Sequence, residues 1–386
     1  MAENYCIFSA NFFPNVGGVS RYTYNLAKKL QSKGKNVFIV TNNVFGLSTF
    51  ENADGIKIYR LPCYNFLKGM FPVICYDEEA KGILAILKRI KFKAVIVNNR
   101  FHIHSLIGAH LGKACKAKVI TVEHGSAYVR VKNPITNFFI RIYEHLITFF
   151  IKRYTDEFYG ISKESSKWLK RFCIKSKGEM YNSINAEAVE STVASPVKSY
   201  KKSLKIKSPI VTYAGNLDQD KGVEKLIEAY KEIKKEIDCS LVITGDGNLK
   251  STLVDRESEG IYFLDRLNYF EVTSLFGESD IFCLPIDYHE RVSSGVFEAA
   301  AAGAFVITTE GAGAYELIDS EEKGIILKEN TVENITAALK KALTDEKYRR
   351  SAVKKCKKVI RDVFSLERTV EKIIEVSESD KEDEEI

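Results

Sequence analysis

One loop of the chain has the composition of a phosphate-binding turn. It covers 216–222, directly after an apolar run at 210–214, and Lys221 stands where the next helix should begin. Free backbone N–H groups at a helix start favour an anion, and a lysine adds a point charge that suits phosphate. A solvated lysine is the simpler alternative. We interpret the D-x-D of Asp218 and Asp220 as turn chemistry and not as a metal site.

A second loop follows the apolar run that ends at Pro285 and leads into a short alanine-rich helix, which Gly303 should stop. Ser294 is expected to cap this helix. Backbone N–H groups of the first turn would then form an anion nest, contributed by Ser294, Gly295, Val296 and Phe297. The carboxylates of Glu290 and Glu298 can accept paired hydrogen bonds from sugar diols. For Glu298 the alternative is a favourable first-turn carboxylate that needs no ligand.

Two other strand ends carry less specific signals. The run 241–244 ends in Gly245-Asp246-Gly247, which allows either the close approach of a ligand or a tight turn. In the first half of the chain, His124 follows the apolar run 118–123. A histidine at a strand end can face a binding site, although a lone histidine can equally be structural.

The elements around these loops alternate between strand and helix. Apolar runs that predict strands alternate with helical periodicity in two series, which indicates two mostly parallel sheets. A chain of 386 residues also exceeds what one core usually supports. We predict a first domain over 1–186, a Ser- and Lys-rich linker over 187–208, a second domain over 209–365 and an acidic tail over 379–386. A helix near 366–378 is a candidate for packing back on the first domain.

Composition narrows the functional class. Hydrophobic residues make up 45% of the chain and charged residues 28%, which is an ordinary globular balance. Eight scattered cysteines without a C-x-x-C pair predict reduced thiols in a cytoplasmic protein. The N-terminus does not resemble a signal peptide, and no apolar run is long enough for a membrane span. No nucleic-acid-binding module is recognisable.

Charge is unevenly distributed along the chain. Residues 1–200 contain 29 Lys and Arg against 14 Asp and Glu, whereas 201–386 are net acidic. The basic half could face anionic lipid, an anionic acceptor or nucleic acid, or it could be an ordinary lysine-rich surface. Within it, the aromatic segment 135–152 is edged by Arg141, Lys152 and Arg153. We expect a core helix of the first domain there, with peripheral docking to a membrane as the alternative.

Taken together, these motifs resemble the family 4 retaining glycosyltransferases of the GT-B fold, also described as glycosyl transferases group 1. The resemblance follows the chain in order through seven loose motifs. They are Gly17-Gly18-Val19, His124-Gly125, Tyr159-Gly160-Ile161-Ser162, Tyr181 to Asn185, Gly215-Asn216-Leu217 with Lys221-Gly222, Gly245-Asp246-Gly247, and Glu290 with Glu298. The implied fold is α/β, with two Rossmann-like, doubly wound parallel-sheet domains facing a central cleft.

The resemblance also implies roles for single residues. Gly17 and Gly18 would let the first loop approach the donor, and His124 would lie beside the transferred sugar. Lys221 would bind the diphosphate together with the amides of the helix near Gly295. Glu290 would contact sugar hydroxyls, and Glu298 would hold the ribose.

Two departures from the family pattern concern the diphosphate. Asn216 stands where the family usually has an arginine, so a positive charge is missing. Arg291 is our candidate substitute for it. The usual Gly-Phe-Gly after the first glutamate is Arg291-Val292-Ser293 here.

The function implied is retaining transfer of a hexosyl or N-acetylhexosaminyl group from a nucleotide sugar, with UDP-sugar as the expected donor. The acceptor would be a glycan or a lipid-linked glycan in cell-surface polysaccharide synthesis. No cofactor and no metal are expected, and nucleic acid is not an expected partner. The alternatives are a catalytically degenerate GT-B scaffold that only binds, and another GT-B enzyme such as a nucleotide-sugar epimerase.

Overall fold

The computed structural model describes residues 2–15, 17–66, 71–129, 131, 133–181, 183–254, 259–287, 294–310 and 314–379. The chain forms two compact units. The first unit comprises Met1–Ser183 and Leu366–Ile386, and the second comprises Ile184–Ser365. The second unit is therefore one continuous stretch of chain, whereas the first unit is built from two.

The first unit contains a seven-stranded sheet of order β3-β4-β2-β1-β7-β8-β9 and a separate β5-β6 hairpin. All pairs within the sheet are parallel except β3 with β4. Its strands are β1 Asn4–Ser9, β2 Asn36–Asn42, β3 Phe50–Ala53, β4 Ile56–Leu61, β5 Cys63–Phe66, β6 Phe71–Ile74, β7 Phe92–Asn98, β8 Lys118–Glu123 and β9 Glu157–Gly160. Its helices before the second unit are α1 Gly18–Ser32, α2 Glu78–Lys88, α3 Ile103–Ala114, α4 Pro134–Ile151 and α5 Lys163–Leu169.

Both faces of this sheet are buried. Along β1, Cys6 and Phe8 belong to one apolar cluster, whereas Tyr5 and Ile7 belong to another on the opposite face. Successive side chains of a strand point to opposite faces, so a strand that is apolar at every position needs helices on both sides. The continuous apolar runs in the sequence follow from this arrangement.

The second unit contains a six-stranded parallel sheet of order β12-β11-β10-β13-β14-β15. Its strands are β10 Ile210–Ala214, β11 Ser240–Thr244, β12 Ile261–Leu264, β13 Ile281–Leu284, β14 Phe305–Thr309 and β15 Ile325–Leu327. Its helices are α6 Ala186–Ala194, α7 Tyr200–Ser203, α8 Val223–Lys234, α9 Lys250–Val254, α10 Tyr269–Glu278, α11 Ser294–Ala302, α12 Val332–Thr344 and α13 Glu346–Val363. The α/β class and the two doubly wound sheets predicted from sequence are confirmed.

The segment predicted as a linker, 187–208, is instead part of the second unit and contains most of α6 and all of α7. Side chains of Asn185 and Ser199 cap these helices by accepting backbone N–H bonds. Tyr200 is buried, and its backbone N–H donates to the Glu278 carboxylate at 2.7 Å. The segment lacks a regular apolar period because these helices are short and each buries few side chains.

The last helix, α14 Leu366–Glu378, belongs to the first unit. It packs against α1, and Val370 and Ile373 join the apolar cluster that contains Leu26. The hydroxyls of Tyr5 and Ser377 lie 2.8 Å apart, so the end of the helix is bonded to the first strand of the sheet. The C-terminal part of the chain thus completes one face of the first unit.

In the part of the chain that the structure describes, none of the helices combines the length and the hydropathy that crossing a bilayer requires. The eight cysteines form no disulfide.

Candidate functional site

The loops at the carboxyl edge of the second sheet are where a ligand would be expected. From β10 the chain continues to β11 and β12 on one side, and then returns to β13 on the other side of β10. Ligands of open parallel sheets bind at such a switch point, beyond the carboxyl ends of the strands. The two loops singled out from the sequence follow β10 and β13, the two strands that flank this point.

These two loops are in direct contact through Gly222. Its φ is +69°, and a Cβ at this position would lie 1.7 Å from the carbonyl oxygen of Pro285. The backbone N–H of Asp287 donates to the carbonyl of Asp220 at 3.0 Å. A glycine is needed here because a protein backbone approaches closely, and the loop that contains Lys221 is therefore held against residues 285–287 after β13.

Asn330 and Lys225 add a second set of contacts to this junction. The Asn330 side chain donates to the Pro285 carbonyl and, at 2.9 Å, to the Asp287 carboxylate. The Lys225 ammonium lies 2.6 Å from the same carboxylate. Neither residue was singled out from the sequence, because Asn330 is distant in the chain and Lys225 looks like an ordinary helix-surface lysine.

Lys221 lies two residues before α8 and not in its first turn. It ends a short 3₁₀ helix, Gln219–Lys221, and its backbone N–H donates to the Asp218 carbonyl at 3.0 Å. The residue is only 7% exposed. The alternative interpretation was a solvated surface lysine. The low exposure of Lys221 argues against that alternative.

The glycines after β11 have a structural reason to be glycines. A Cβ on Gly245, which has a φ of +150°, would lie 1.9 Å from the Gly215 carbonyl oxygen, and one on Gly247 would lie 2.5 Å from that of Leu217. The sequence left open the approach of a ligand or a tight turn, and the structure gives a third reason, which is close backbone packing between neighbouring loops. Asn216 lies in the loop after β10, between Gly215 and Leu217, and is exposed. Its backbone carbonyl accepts a hydrogen bond from the Tyr213 hydroxyl at 2.8 Å.

The alanine-rich helix α11 begins at Ser294, which is exposed, and Gly295 is partly exposed. The side chains of Val296 and Phe297 are buried, so these two residues could offer a ligand only their backbone N–H groups. First-turn N–H groups have no acceptor within their own helix. Ser294 was expected as the cap but is itself the first helical residue.

Glu298 is partly exposed and interacts electrostatically with Tyr269, the first residue of α10. The pKa of Tyr269 is raised to about 12, mainly by burial and secondarily by the negative charge of Glu298. The predicted site residues Glu290 and Arg291 lie outside the described residues. Over the described ranges, no three His, Cys, Asp or Glu side chains come together as metal ligands.

His124 follows β8 in the first unit and is 7% exposed. Its Nε2 lies 3.0 Å from Oδ1 of Asn98, whose amide nitrogen donates to Thr23. Because Oδ1 can only accept, Nε2 carries a proton and donates it to this oxygen. The ring also meets the edge of Tyr22, with centroids 4.8 Å apart. These two contacts fix the orientation of the His124 ring.

A buried ionic network holds the loop that contains His124. Arg100 donates to Glu123 and to Glu144, both at 2.8 Å, and all three side chains are at most 1% exposed. The second oxygen of Glu123 accepts the backbone N–H of Gly125 at 2.9 Å. Sequence reasoning missed this network. Two features of the sequence could have indicated it. One is Arg100 shortly after an apolar strand, and the other is Glu144 as the single acid within the apolar segment 135–152.

Gly17 and Gly18 lie at the start of α1 and are both exposed. A Cβ added to either would have no atom within 4 Å, and neither has the positive φ that favours glycine. The local fold therefore does not require glycine at either position. The predicted close approach of a ligand remains the reason that we propose for these two glycines.

We expect Gly222→Ala to lower the free energy of unfolding by about 3 kcal/mol or more, because it combines a left-handed backbone with a clash against a backbone oxygen. Gly17→Ser should cost less than about 0.5 kcal/mol, since serine is a good N-cap and the space is open. Urea denaturation followed by circular dichroism measures both. Equal stability of the Gly222→Ala variant would contradict the loop contact described above.

Comparison with known proteins finds matches along most of the chain. The family model described as Glycosyl transferases group 1 matches residues 197–359, and the model described as Glycosyltransferase Family 4 matches 16–179. An uncharacterized glycosyltransferase of Methanocaldococcus jannaschii is 24% identical over 96% of this chain and 97% of its own. One component of the human phosphatidylinositol N-acetylglucosaminyltransferase is 25% identical, over 88% of this chain and 68% of its own.

A crystal structure of the Anabaena protein HepE in complex with UDP-glucose has a TM-score of 0.66 and 13% identity, and the match covers 96% of this chain and 98% of that one. At this identity the likeness concerns the fold. It confirms the GT-B class of two Rossmann-like units that was predicted from the sequence.

Proposed function

Since the chain belongs to the family 4, group 1 glycosyltransferases, we propose that it transfers a hexosyl or N-acetylhexosaminyl group from a UDP-sugar. The acceptor is a glycan or a lipid-linked glycan in cell-surface polysaccharide synthesis, and the anomeric configuration is retained. The observation that carries the proposal is the contact of Gly222 with Pro285. It supports the proposal because it holds the Lys221 loop against Pro285, from which the chain continues to α11. We propose that the lysine and the start of this helix bind the same diphosphate.

Three features support a nucleotide-sugar donor. The two loops flank the switch point of a parallel sheet, the usual place for a nucleotide. The solved structure of HepE was obtained with UDP-glucose. The human relative is named for the transfer of N-acetylglucosamine. The preference for uridine is our proposal, and retention is proposed from the family resemblance.

In the proposed mechanism, negative charge develops on the leaving diphosphate as the bond to the sugar breaks. The Lys221 ammonium and the N–H groups of Ser294 and Gly295 stabilise this charge, because preorganised donors need no reorganisation during the reaction. Glu298 is proposed to accept hydrogen bonds from the ribose, and His124 to lie beside the transferred sugar. Glu290 and Arg291 keep their proposed roles at the sugar hydroxyls and the diphosphate.

A catalytically degenerate scaffold is the second candidate. It is favoured by Asn216, an exposed neutral side chain at the position where the family usually supplies a second phosphate-binding cation. Such a protein would bind nucleotide without transferring sugar.

A thermal-shift panel of UDP, GDP, ADP and their sugar conjugates tests the donor. A ligand at 100 times its Kd adds about 2.7 kcal/mol to stability, so the preferred nucleotide should raise the melting temperature by several degrees. We expect UDP and one or more UDP-sugars to give the largest shift. Release of UDP from that UDP-sugar then separates the two candidates, because the degenerate scaffold would show the shift without turnover. A panel with no shift for any nucleotide would contradict both.

A further inference from the structure

The exposed face of α4 is apolar along its whole length. Large apolar side chains on this face are between 43% and 68% exposed. They recur at the spacing of one helical stripe and comprise Ile135, Phe138, Phe139, Ile142, Leu146, Phe149 and Phe150. We refer to these seven residues as the α4 stripe. Large contiguous apolar patches of this kind are rare on monomeric soluble proteins and typically mark an interaction site.

The buried face of the same helix is the more polar one. Toward the body of the first unit, α4 presents Ile140, Glu144, Thr148 and Ile151. A surface helix normally directs its apolar face inward and its polar face outward. The polarity of α4 is therefore inverted with respect to its own unit. The sequence analysis predicted a core helix here. One face of α4 is packed against the first unit as predicted, whereas the other face is exposed.

An apolar groove continues the α4 stripe. It has a volume of about 330 Å³ and lies between α2, α3 and the end of α4. Phe150 belongs to the stripe and also lines the groove. The other apolar and aromatic side chains that line the groove include Leu84, Leu106, Ile107 and Tyr154. Lys88 also lines it. An apolar groove with a cationic residue matches the chemistry of an acyl chain attached to an anionic headgroup.

The charges around the α4 stripe are of one sign. Arg141, Lys152 and Arg153 are exposed, whereas the one acid of α4, Glu144, is fully buried against Arg100. No exposed residue from 133 to 154 is acidic. Interfacial helices that lie on membranes combine bulky apolar side chains with Lys and Arg in this way.

We propose that the α4 stripe is a docking surface for an anionic lipid bilayer, and that the groove beside Phe150 takes up an acyl chain from that bilayer. The docking does not depend on the transfer reaction. One consequence does rest on the proposed function: an enzyme held at a bilayer by its first unit takes an acceptor that is anchored in the same membrane.

A direct connection runs from the docking helix to the candidate site of the first unit. Glu144 lies on the buried face of α4 and binds Arg100, which binds Glu123, which accepts the backbone N–H of Gly125 beside His124. A membrane that orients α4 therefore orients the His124 loop through this chain of buried contacts. This arrangement suits an acceptor that reaches the site from the bilayer surface.

Flotation with liposomes tests the docking without any nucleotide. The full chain is mixed at low salt with vesicles of phosphatidylcholine alone or with added phosphatidylglycerol, and the floated fraction is measured. We expect flotation with the anionic vesicles and little with the neutral ones. Phe138→Gln combined with Phe149→Gln should lower the floated fraction at least about tenfold. Arg141→Gln combined with Arg153→Gln should weaken binding to the anionic vesicles alone.

Val197→Gln combined with Phe270→Gln is the matched control, because it removes two apolar side chains of similar exposure from the second unit. This control should float like the natural chain. The UDP-induced thermal shift, measured without vesicles, should be the same in every variant and shows that each is folded. A failure of flotation with an intact UDP shift would end the docking proposal alone, whereas flotation without a UDP shift would end the proposed function alone.

Two further outcomes would overturn the proposal. One is equal flotation of the natural chain and the Phe138→Gln, Phe149→Gln variant. The other is a dimer in light scattering that these two substitutions dissociate, since the α4 stripe would then be covered by a second copy of the chain.

Discussion

Lys221→Met should lower the turnover of the UDP-sugar by on the order of a hundredfold. The lysine is almost completely buried, and the next residue, Gly222, is packed against the backbone of Pro285. We expect its charge to be held in place before the diphosphate leaves. Removal of one preorganised donor from such a site typically costs a hundredfold or more in kcat. Methionine retains the length and the apolar stem of the side chain, which limits the change to the charge. Release of UDP from the donor selected by the thermal-shift panel measures the effect.

Lys231→Met is the control for this prediction. Lys231 lies exposed on the following helix, α8, away from the loop contacts described above. Its replacement should leave turnover within a factor of two. If the Lys221→Met variant turned over at the natural rate, Lys221 would have no part in the mechanism, and the diphosphate site would have to be sought elsewhere.

The largest effect on stability is expected for Arg100→Met. It would leave the carboxylates of Glu123 and Glu144 buried without a cation, and both are fully buried in the structure. Removal of one partner from a buried ionic network typically costs 3–5 kcal/mol, so the free energy of unfolding should fall by about that amount. The guanidinium also stacks 3.7 Å from the centre of the Phe172 ring, and this contact would be lost as well. Chemical denaturation measures the loss.

The Arg100→Met deficit should depend on pH. Burial already raises the pKa of Glu144, and Arg100 acts in the opposite direction. Without Arg100 the pKa in the folded state rises further above its value in the unfolded chain. A carboxyl group whose pKa is higher in the folded state than in the unfolded state does not lower the free energy of unfolding at pH values below its pKa in the unfolded state. It lowers that free energy increasingly as the pH rises toward its pKa in the folded state. The deficit should therefore be largest near pH 8 and shrink as the pH is lowered toward 5.

A triple variant separates the charge effect from the packing effect. Arg100→Met combined with Glu123→Gln and Glu144→Gln contains no buried charge at this position, while each glutamine can still accept the backbone N–H bonds. It should recover at least half of the lost stability, because neutral replacements of buried ion pairs are often tolerated. A triple variant as unstable as Arg100→Met at every pH would show that packing, and not charge, determines the loss.

The parts of the molecule that sequence reasoning predicted correctly are governed by local pattern. The strands Ile210–Ala214 and Lys118–Glu123 are rich in β-branched apolar residues, and polar or glycine residues follow their ends. From this alternation the doubly wound class and the position of the candidate loops at the carboxyl edge of the sheet could be derived. The roles of Glu290 and Arg291 stay predictions, since both lie outside the described residues.

The parts that were missed depend on contacts between distant segments. The reason for glycine at Gly245 and Gly247 is the backbone of another loop, which is not visible in their own sequence. The Arg100 network joins three segments, and each contributes one charged residue that looks unremarkable alone. The short helices α6 and α7 were interpreted as a linker because their stability comes from caps and from the contact of Tyr200 with α10, and not from an apolar period.

The position of α14 has a consequence for how the chain is made. The second unit is one continuous stretch that can fold as soon as it has left the ribosome, whereas the first unit needs a helix that is synthesised after the whole of the second. Until then, the apolar cluster around Leu26 lacks Val370 and Ile373. This cluster therefore stays incompletely covered until α14 has been synthesised. A stop codon before Leu366 would consequently destabilise the first unit, although most of that unit precedes the second in the sequence.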